Sequence, residues 1–157
     1  AGGLRPGRRL KAVLPGGGSS GCLLEEHLDT PMDFDSVAAA GSMLGSAGVI
    51  VLDDSTCIVK AAVTLSRFYA NESCGQCTPC REGTNWLARV LARIEAGHGR
   101  MEDIELLDTA RLNMMGTTIC PLSDASVGFL TSALKYFRHE FEAHVRAGAC
   151  ALEVRSA

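Results

Sequence analysis

Glu72-Ser73-Cys74-Gly75-Gln76-Cys77-Thr78-Pro79-Cys80-Arg81-Glu82-Gly83 interrupts helical sequence with three cysteines at two-residue spacings. A fourth, Cys120 in Thr118-Ile119-Cys120-Pro121, follows after the 39 residues 81–119. Spacers of two residues let successive sulfurs of one tight loop point at different corners of a metal cluster, and a remote fourth thiolate can close the cage. That closure requires the intervening chain to return to where it started. The stretch therefore constrains the fold as well as the chemistry.

Working outward, Asp54, Ser55 or Thr56 can cap a helix running to about Asn71, with Ile58, Ala62, Leu65 and Tyr69 at three- and four-residue steps. A second helix is expected from about Glu82, with Trp86, Leu87, Val90, Leu91 and Ile94 on one stripe and a left-handed stop at Gly97 or Gly99. A third spans about Met101–Met115, with Ile104, Leu107, Leu112 and Met115 inward and Gly116 ending it. The last, about Asp124–Ala147, carries Val127, Leu130, Leu134, Phe137, Phe141 and Val145 on one face before Gly148. Four such helices with short links predict an up-down-up-down bundle. In it the first and third links share one end, which brings Cys120 to the loop of Cys74, Cys77 and Cys80.

Residues 1–55 have a different texture. They are rich in Gly, Pro and Asp, with short apolar runs at Leu10–Leu14 and Gly48–Leu52, and read as strands and turns. The expected division is 1–55, a helical part over 56–147 and a tail over 148–157. The fold class is α+β.

Composition narrows the function. The chain is 46% hydrophobic and 21% charged, with net charge −3, which suits a globular domain and offers no basic surface for nucleic acid. No apolar run approaches the roughly 18 residues needed to span a bilayer, so no direct membrane insertion is expected. Neither a signal peptide nor a twin-arginine leader is convincing, and the chain opens on Ala1, so its beginning is expected upstream. Seven unevenly spaced cysteines do not form a secreted disulfide framework, and a reducing compartment suits them better. Cys22, Cys57 and Cys150 read as buried or incidental thiols.

Around the loop, Gly75 lets backbone N–H groups approach sulfur, Pro79 stiffens the turn, and the start of the second helix turns its positive end towards the sulfurs. Arg81 either offsets cluster charge or lies as a solvated surface charge. For the four cysteines a [4Fe–4S] cluster is the favoured reading, since zinc sites usually pair two Cys-x-x-Cys knuckles. A structural zinc-binding interaction module is the alternative. Gly16-Gly17-Gly18-Ser19-Ser20-Gly21 formally matches G-x-G-x-x-G, but no crossover helix follows, so it reads as a Gly-rich turn between strands. His27, His98, His139 and His144 have no partner spacing and are expected on solvated faces, Met114-Met115 reads as core packing, and no hydrolytic site is expected.

The run Glu72–Gly83, with Thr118-Ile119-Cys120-Pro121-Leu122-Ser123-Asp124, closely resembles the family of NADH-binding flavoprotein subunits (the F type) of respiratory NADH:quinone oxidoreductase, complex I. Asp29–Asp35, Ala40–Ser46 and Phe137–Phe141 extend the resemblance, which covers essentially residues 10–147. It implies that residues 1–55 are the end of a soluble-ligand-binding β-grasp domain. It also implies that Cys74, Cys77, Cys80 and Cys120 ligate the [4Fe–4S] cluster that takes electrons from FMN reduced by NADH. The flavin and NADH sites of that family belong to an upstream domain with no counterpart here, so this segment is expected to be an oxidoreductase's electron relay alone. Implied partners are the complex's other iron–sulfur subunits. The implied location is the cytoplasmic side of the inner membrane, or the matrix side in mitochondria, held peripherally through the complex. Family members usually carry Gly or Ser where Ser123 stands and often Ala where Pro121 stands; Pro121 stiffens the exit from the fourth ligand. Soluble NAD-reducing hydrogenases and NAD-dependent formate dehydrogenases have similar diaphorase subunits, an alternative setting for the same relay.

Overall fold

A computed structural model describes residues 3–150 and Leu152. It is a mixed α/β structure: a two-stranded sheet, five α-helices and two short 3-10 turns among the described residues. Strand β1 (Leu10–Leu14) pairs antiparallel with β2 (Ile50–Asp53), Ala12 opposite Leu52 and Leu14 opposite Ile50, with an irregularity between Leu10 and Ala12. Alternation sends Ala12 and Leu14 inward, where both are fully buried.

The Gly-rich segment after β1 forms a 3-10 turn at Gly17–Ser19, and Leu23 then bridges back to Val13. This is the turn the sequence suggested, and its glycines are there for packing. A Cβ at Gly128 in the last helix would lie 2.0 Å from the Ser19 carbonyl oxygen, so turn and helix touch backbone to backbone. Cys22 N–H donates to Ser132 Oγ at 2.8 Å across the same contact.

Helix α1 (Phe34–Ala39) was not expected; Asp33 caps it by accepting from Ser36 N–H at 2.8 Å. The four long helices are α2 (Ile58–Glu72), α3 (Thr78–Glu95), α4 (Met101–Met114) and α5 (Leu122–Ala147). Helix α2 packs on α3 and α5, and α4 packs on the same two. One buried cluster joins Ala12 and Leu14 to Ile58, Leu91, Ile104, Leu107, Phe129 and Phe141. Each such large side chain contributes about 1.5–3 kcal/mol when fully buried.

Several boundaries and faces differ from expectation. Helix α3 begins at Thr78, four residues early, because Cys77 takes extended cap geometry and Pro79 is tolerated in a first turn whose N–H groups have no helical partner. Helix α5 begins at Leu122 and loses helical geometry at Phe137 (φ −124°, ψ 21°). Trp86 is 48% exposed, since the buried stripe of α3 runs through Cys80, Thr84, Leu87, Leu91 and Ile94. On α4 the buried stripe is Asp103, Ile104, Leu107, Ala110 and Met114. Leu112 lies two positions off that stripe and is exposed, and Met115 lies past the helix end and is exposed too. Asp103 is buried and paired in bidentate fashion by Arg93, which fastens the end of α3 to the start of α4. No helix of the described residues is long and apolar enough to cross a membrane. Residues 151 and 153–157 of the expected tail lie outside the described residues.

Candidate metal centre

The cysteine turn is built from local chemistry. Helix α2 ends at Glu72, and Ser73 turns to extended geometry as its C-cap. Gly75 then takes φ +80°, a conformation that favours glycine and that reverses the chain within three residues. Cys77 caps α3, its carbonyl accepting from Arg81 N–H at 2.9 Å, and Cys80 lies within the first turn. Thr84 Oγ1 donates to the Cys80 carbonyl at 2.8 Å.

The three thiols consequently differ. Cys74 is exposed, Cys77 half-buried and Cys80 buried. Ser73 Oγ lies 3.3 Å from Cys80 Sγ and accepts from Gly75 N–H at 3.4 Å, so one hydroxyl ties the beginning of the turn to its last cysteine. Arg81 lies at the surface, its side chain 44% exposed, as one of the two readings of the sequence had it. Its Nη1 donates to the Gly75 carbonyl at 2.8 Å and its Nε to Glu82 Oε1 at 2.8 Å, so it braces the turn from outside.

Cys120 comes from the link between α4 and α5. Gly116 at φ +67° opens that link, its N–H donating to Asp124 Oδ1 at 2.7 Å. Ser123 and Thr117 both donate to the Met114 carbonyl, at 3.1 and 2.8 Å, and Thr118 Oγ1 donates to the Cys120 carbonyl at 2.9 Å. Cys120 is exposed. The two links share one end of the helices: a Cβ on Gly83, three residues past Cys80, would lie 2.5 Å from the Met114 sulfur, six residues before Cys120. Met114 is thus the core residue the sequence suggested, and it presses the two cysteine-bearing links together.

Among the described residues, the His, Cys, Asp and Glu ligand atoms that gather within 4.8 Å of one another are those of Cys57, His144 and Cys150, and none of the four loop cysteines. A single tetrahedral zinc needs its donors roughly 3.3–3.8 Å apart, given metal–ligand bonds of about 2.0–2.3 Å. A four-iron cubane takes each thiolate on a different iron and so spaces them more widely. The four loop thiols are not gathered as the donor set of a single ion. Cys74 and Cys120 are exposed, while Cys77 and Cys80 stand at the start of α3, where no side chain caps the first-turn N–H groups.

The other thiols are unlike these. Burial pushes the Cys22 thiol up from its ordinary range, with the Ser132 hydroxyl working weakly the other way, which makes it an inert packing group. Cys22, Cys57 and Cys150 are all buried, as expected. His144 is the correction: it is 2% exposed rather than on a solvated face. The signal was present in the sequence, because His144 follows Phe137 and Phe141 by helical steps on the apolar stripe of α5.

Soft donors on two adjoining helix links, beside a helix start, have the chemistry of a scaffold for a thiolate-bound metal group. Residues 60–144, more than half of the chain, match the family described as NADH-ubiquinone oxidoreductase-F iron-sulfur binding region, and the chain belongs to that family of iron–sulfur-binding proteins. It is 53% identical over 150 residues to an F-type NADH-quinone oxidoreductase subunit, the one numbered 2, of Rhizobium meliloti (strain 1021), covering 96% of this chain and 36% of that protein. It is 48% identical over 150 residues to the F-type NADH-quinone oxidoreductase subunit of Streptomyces coelicolor, covering 96% of this chain and 33% of that one. The chain thus spans about a third of the length of these relatives. Among solved structures, an NAD+-reducing [NiFe]-hydrogenase in the H2-reduced state matches with a TM-score of 0.79 and 30% identity, over 90% of this chain and 24% of that one.

Proposed function

We propose that Cys74, Cys77, Cys80 and Cys120 ligate one [4Fe–4S] cluster. The chain is then the electron-relay segment of an NADH:quinone oxidoreductase flavoprotein subunit, passing electrons from NADH-reduced FMN towards quinone. The observation that carries the ligand assignment is the contact of Gly83 with Met114, which holds the Cys74–Cys80 turn and the Cys120 link at one end of the helices. The family match over residues 60–144 and the names of the relatives support the electron-transfer role.

When bound, the cluster supplies one-electron transfer. The residues around it hold and tune it. Ser73 faces Cys80 Sγ with a hydroxyl, the start of α3 offers backbone N–H groups at Cys77 and Cys80, and the brace from Arg81 to Gly75 keeps the turn closed. Exposure of Cys74 and Cys120 leaves a short path for electrons to a neighbouring protein.

In the same reading the helical part, 56–147, is a four-helix bundle and residues 1–55 complete a β-grasp domain that docks on it, with 148–157 a tail. FMN and NADH are bound by residues outside this chain. The partners are the complex's iron–sulfur subunits, and the location is peripheral, on the cytoplasmic or matrix face. The structural likeness to an NAD+-reducing hydrogenase supports a second setting, a diaphorase subunit, at lower identity. Proteins that co-purify with the full-length chain decide between them.

The test is Cys120→Ser. Reconstituted chain is expected to bind four irons and give a reduced-state EPR signal, and the variant to lose the intact cluster. Zinc without iron in the reconstituted chain, or an unchanged spectrum in the variant, overturns the assignment.

A further inference from the structure

Opposite the cysteine turn, four segments that are far apart in sequence meet. Cys57 is the N-cap of α2, Glu95 is the last residue of α3, His144 lies in the last turn of α5, and Cys150 follows the left-handed Gly148 (φ +63°) that ends it. Cys57, His144 and Cys150 are 7%, 2% and 3% exposed. Their ligand atoms lie within 4.8 Å of one another. Cys57 Sγ is 3.4 Å from His144 Nε2, and Glu95 Oε2 is 3.4 Å from that same nitrogen. These two separations fall in the roughly 3.3–3.8 Å range of tetrahedral zinc donors.

The surroundings are those of a built site. His144 Nδ1 lies 2.7 Å from the Glu140 carbonyl oxygen, which can only accept, so Nδ1 carries a proton and Nε2, the nitrogen that faces Cys57 and Glu95, is the one placed to meet a metal. Two glycines lock the supporting turns together: a Cβ at Gly97 would fall 2.0 Å from the Gly148 carbonyl oxygen. Cys57 caps α2 by accepting from Lys60 N–H at 3.4 Å, a position where Ser, Thr, Asp or Asn is the ordinary choice. A recess of about 230 Å³, lined in part by Lys11, Cys57 and His144, supplies a route in. Lys11 pairs with Glu140 at 2.5 Å there and offsets local negative charge.

We infer that Cys57, His144 and Cys150 bind a zinc ion at a structural site distinct from the cluster ligands, with the Glu95 carboxylate, which meets His144 Nε2 but lies outside the group of three, turning in as the fourth donor. Helix α2 alone separates the two ends by about 22 Å at 1.5 Å per residue. Two thiolates, an imidazole and a carboxylate form a closed donor set of the structural zinc type, and soft sulfur disfavours magnesium or calcium. A Cys57–Cys150 disulfide would leave the ring nitrogen gathered with the two sulfurs unused. It would also need an oxidising setting in a chain whose cluster thiols must stay reduced.

The test uses the iron–sulfur-loaded chain, equilibrated with Zn2+ and freed of excess by gel filtration. One zinc per chain is expected beside the iron, with a zinc K-edge absorption shell of two sulfurs near 2.3 Å and two N/O neighbours near about 2.0–2.1 Å. Cys57→Ser, which keeps an oxygen cap on α2, and Cys150→Ser should each lose the zinc while iron stays at the wild-type level. Added Zn2+ should raise the thermal midpoint of the wild type and of neither variant. Absence of bound zinc in the wild type, a four-sulfur shell, zinc retained in both variants, or a Cys57–Cys150 disulfide in the isolated chain overturns the inference. Because iron is read separately, loss of the cluster assignment and loss of this one remain distinguishable.

Discussion

The two ends of the long helices carry the same kinds of donor in opposite settings. At one end Cys74, Cys77 and Cys120 sit on links, exposed or half-exposed, and positive-φ glycines at positions 75 and 116 shape the turns. At the other, Cys57, His144 and Cys150 are buried at helix ends, and Gly97 and Gly148 are pressed backbone to backbone. Thiolates on exposed links suit a cofactor that exchanges electrons with another protein, because the path is short and one helix start can tune the charge. Buried donors fixed by packing suit a metal that does no more than hold segments together. Identity of the ligands is a poor guide to role; exposure and the rigidity of the supporting turn separate the two.

The sharpest way to break this comparison is chemical. In the reduced, metal-free chain, Cys74 and Cys120 should react with iodoacetamide at least about tenfold faster than Cys57 and Cys150, since alkylation needs an accessible thiolate. Peptide mapping by mass spectrometry reads the order site by site. Equal rates at both ends would mean that the packed end opens as readily as the links do, and the contrast drawn from burial would fail.

A second experiment loads the packed end without touching a thiol. Arg93→Met leaves the buried Asp103 carboxylate with the Arg100 N–H at 2.9 Å and a longer approach of the Arg100 guanidinium at 4.0 Å. Removing one partner of a buried pair is expensive, and with Arg93 itself 40% exposed the expected loss is about 2–4 kcal/mol. The thermal midpoint should fall by about 2–4 °C for each kcal/mol. Iron content should not change. Iron lost in step with stability would show that the two ends are not independent.

Much of the scaffold was legible in the sequence, for a physical reason. Ile58, Ala62, Leu87, Leu91, Ile104, Leu107, Leu130 and Phe141 repeat at helical spacing and are buried where that spacing puts them. Glycine stops at 97 and 148 were equally plain, because a left-handed residue is needed there and glycine supplies it. What escaped was decided by contacts between segments. Nothing local announces that α3 begins inside the cysteine turn, because Cys77 is a poor cap by composition and becomes one only through the geometry of the turn. The short helix after Asp33 escaped because six residues carry too little periodicity to register. Leu112 looked like core and lies on the outside of α4, while Asp103, to which the sequence reading gave no place, is buried and paired with Arg93. The grouping of Cys57, His144 and Cys150 is the extreme case, since 87 residues of sequence separation lie between the first two and only the packed helices bring them together.

The smallest predicted effect probes tuning at the exposed end. Ser73→Ala removes the hydroxyl 3.3 Å from Cys80 Sγ while leaving every cysteine in place. A hydrogen-bond donor beside a cluster sulfur stabilises the more negative, reduced state, so its loss should move the reduction potential to a lower value. Iron content and the position of α3 should be unchanged, because Gly75 remains braced through its carbonyl by Arg81 and Cys77 still accepts from Arg81 N–H. Redox titration followed by EPR measures the shift directly. An unchanged potential with intact iron would mean that Ser73 Oγ spends its proton elsewhere and contributes only to the shape of the turn, whereas loss of iron would make it part of what holds the cysteines in position.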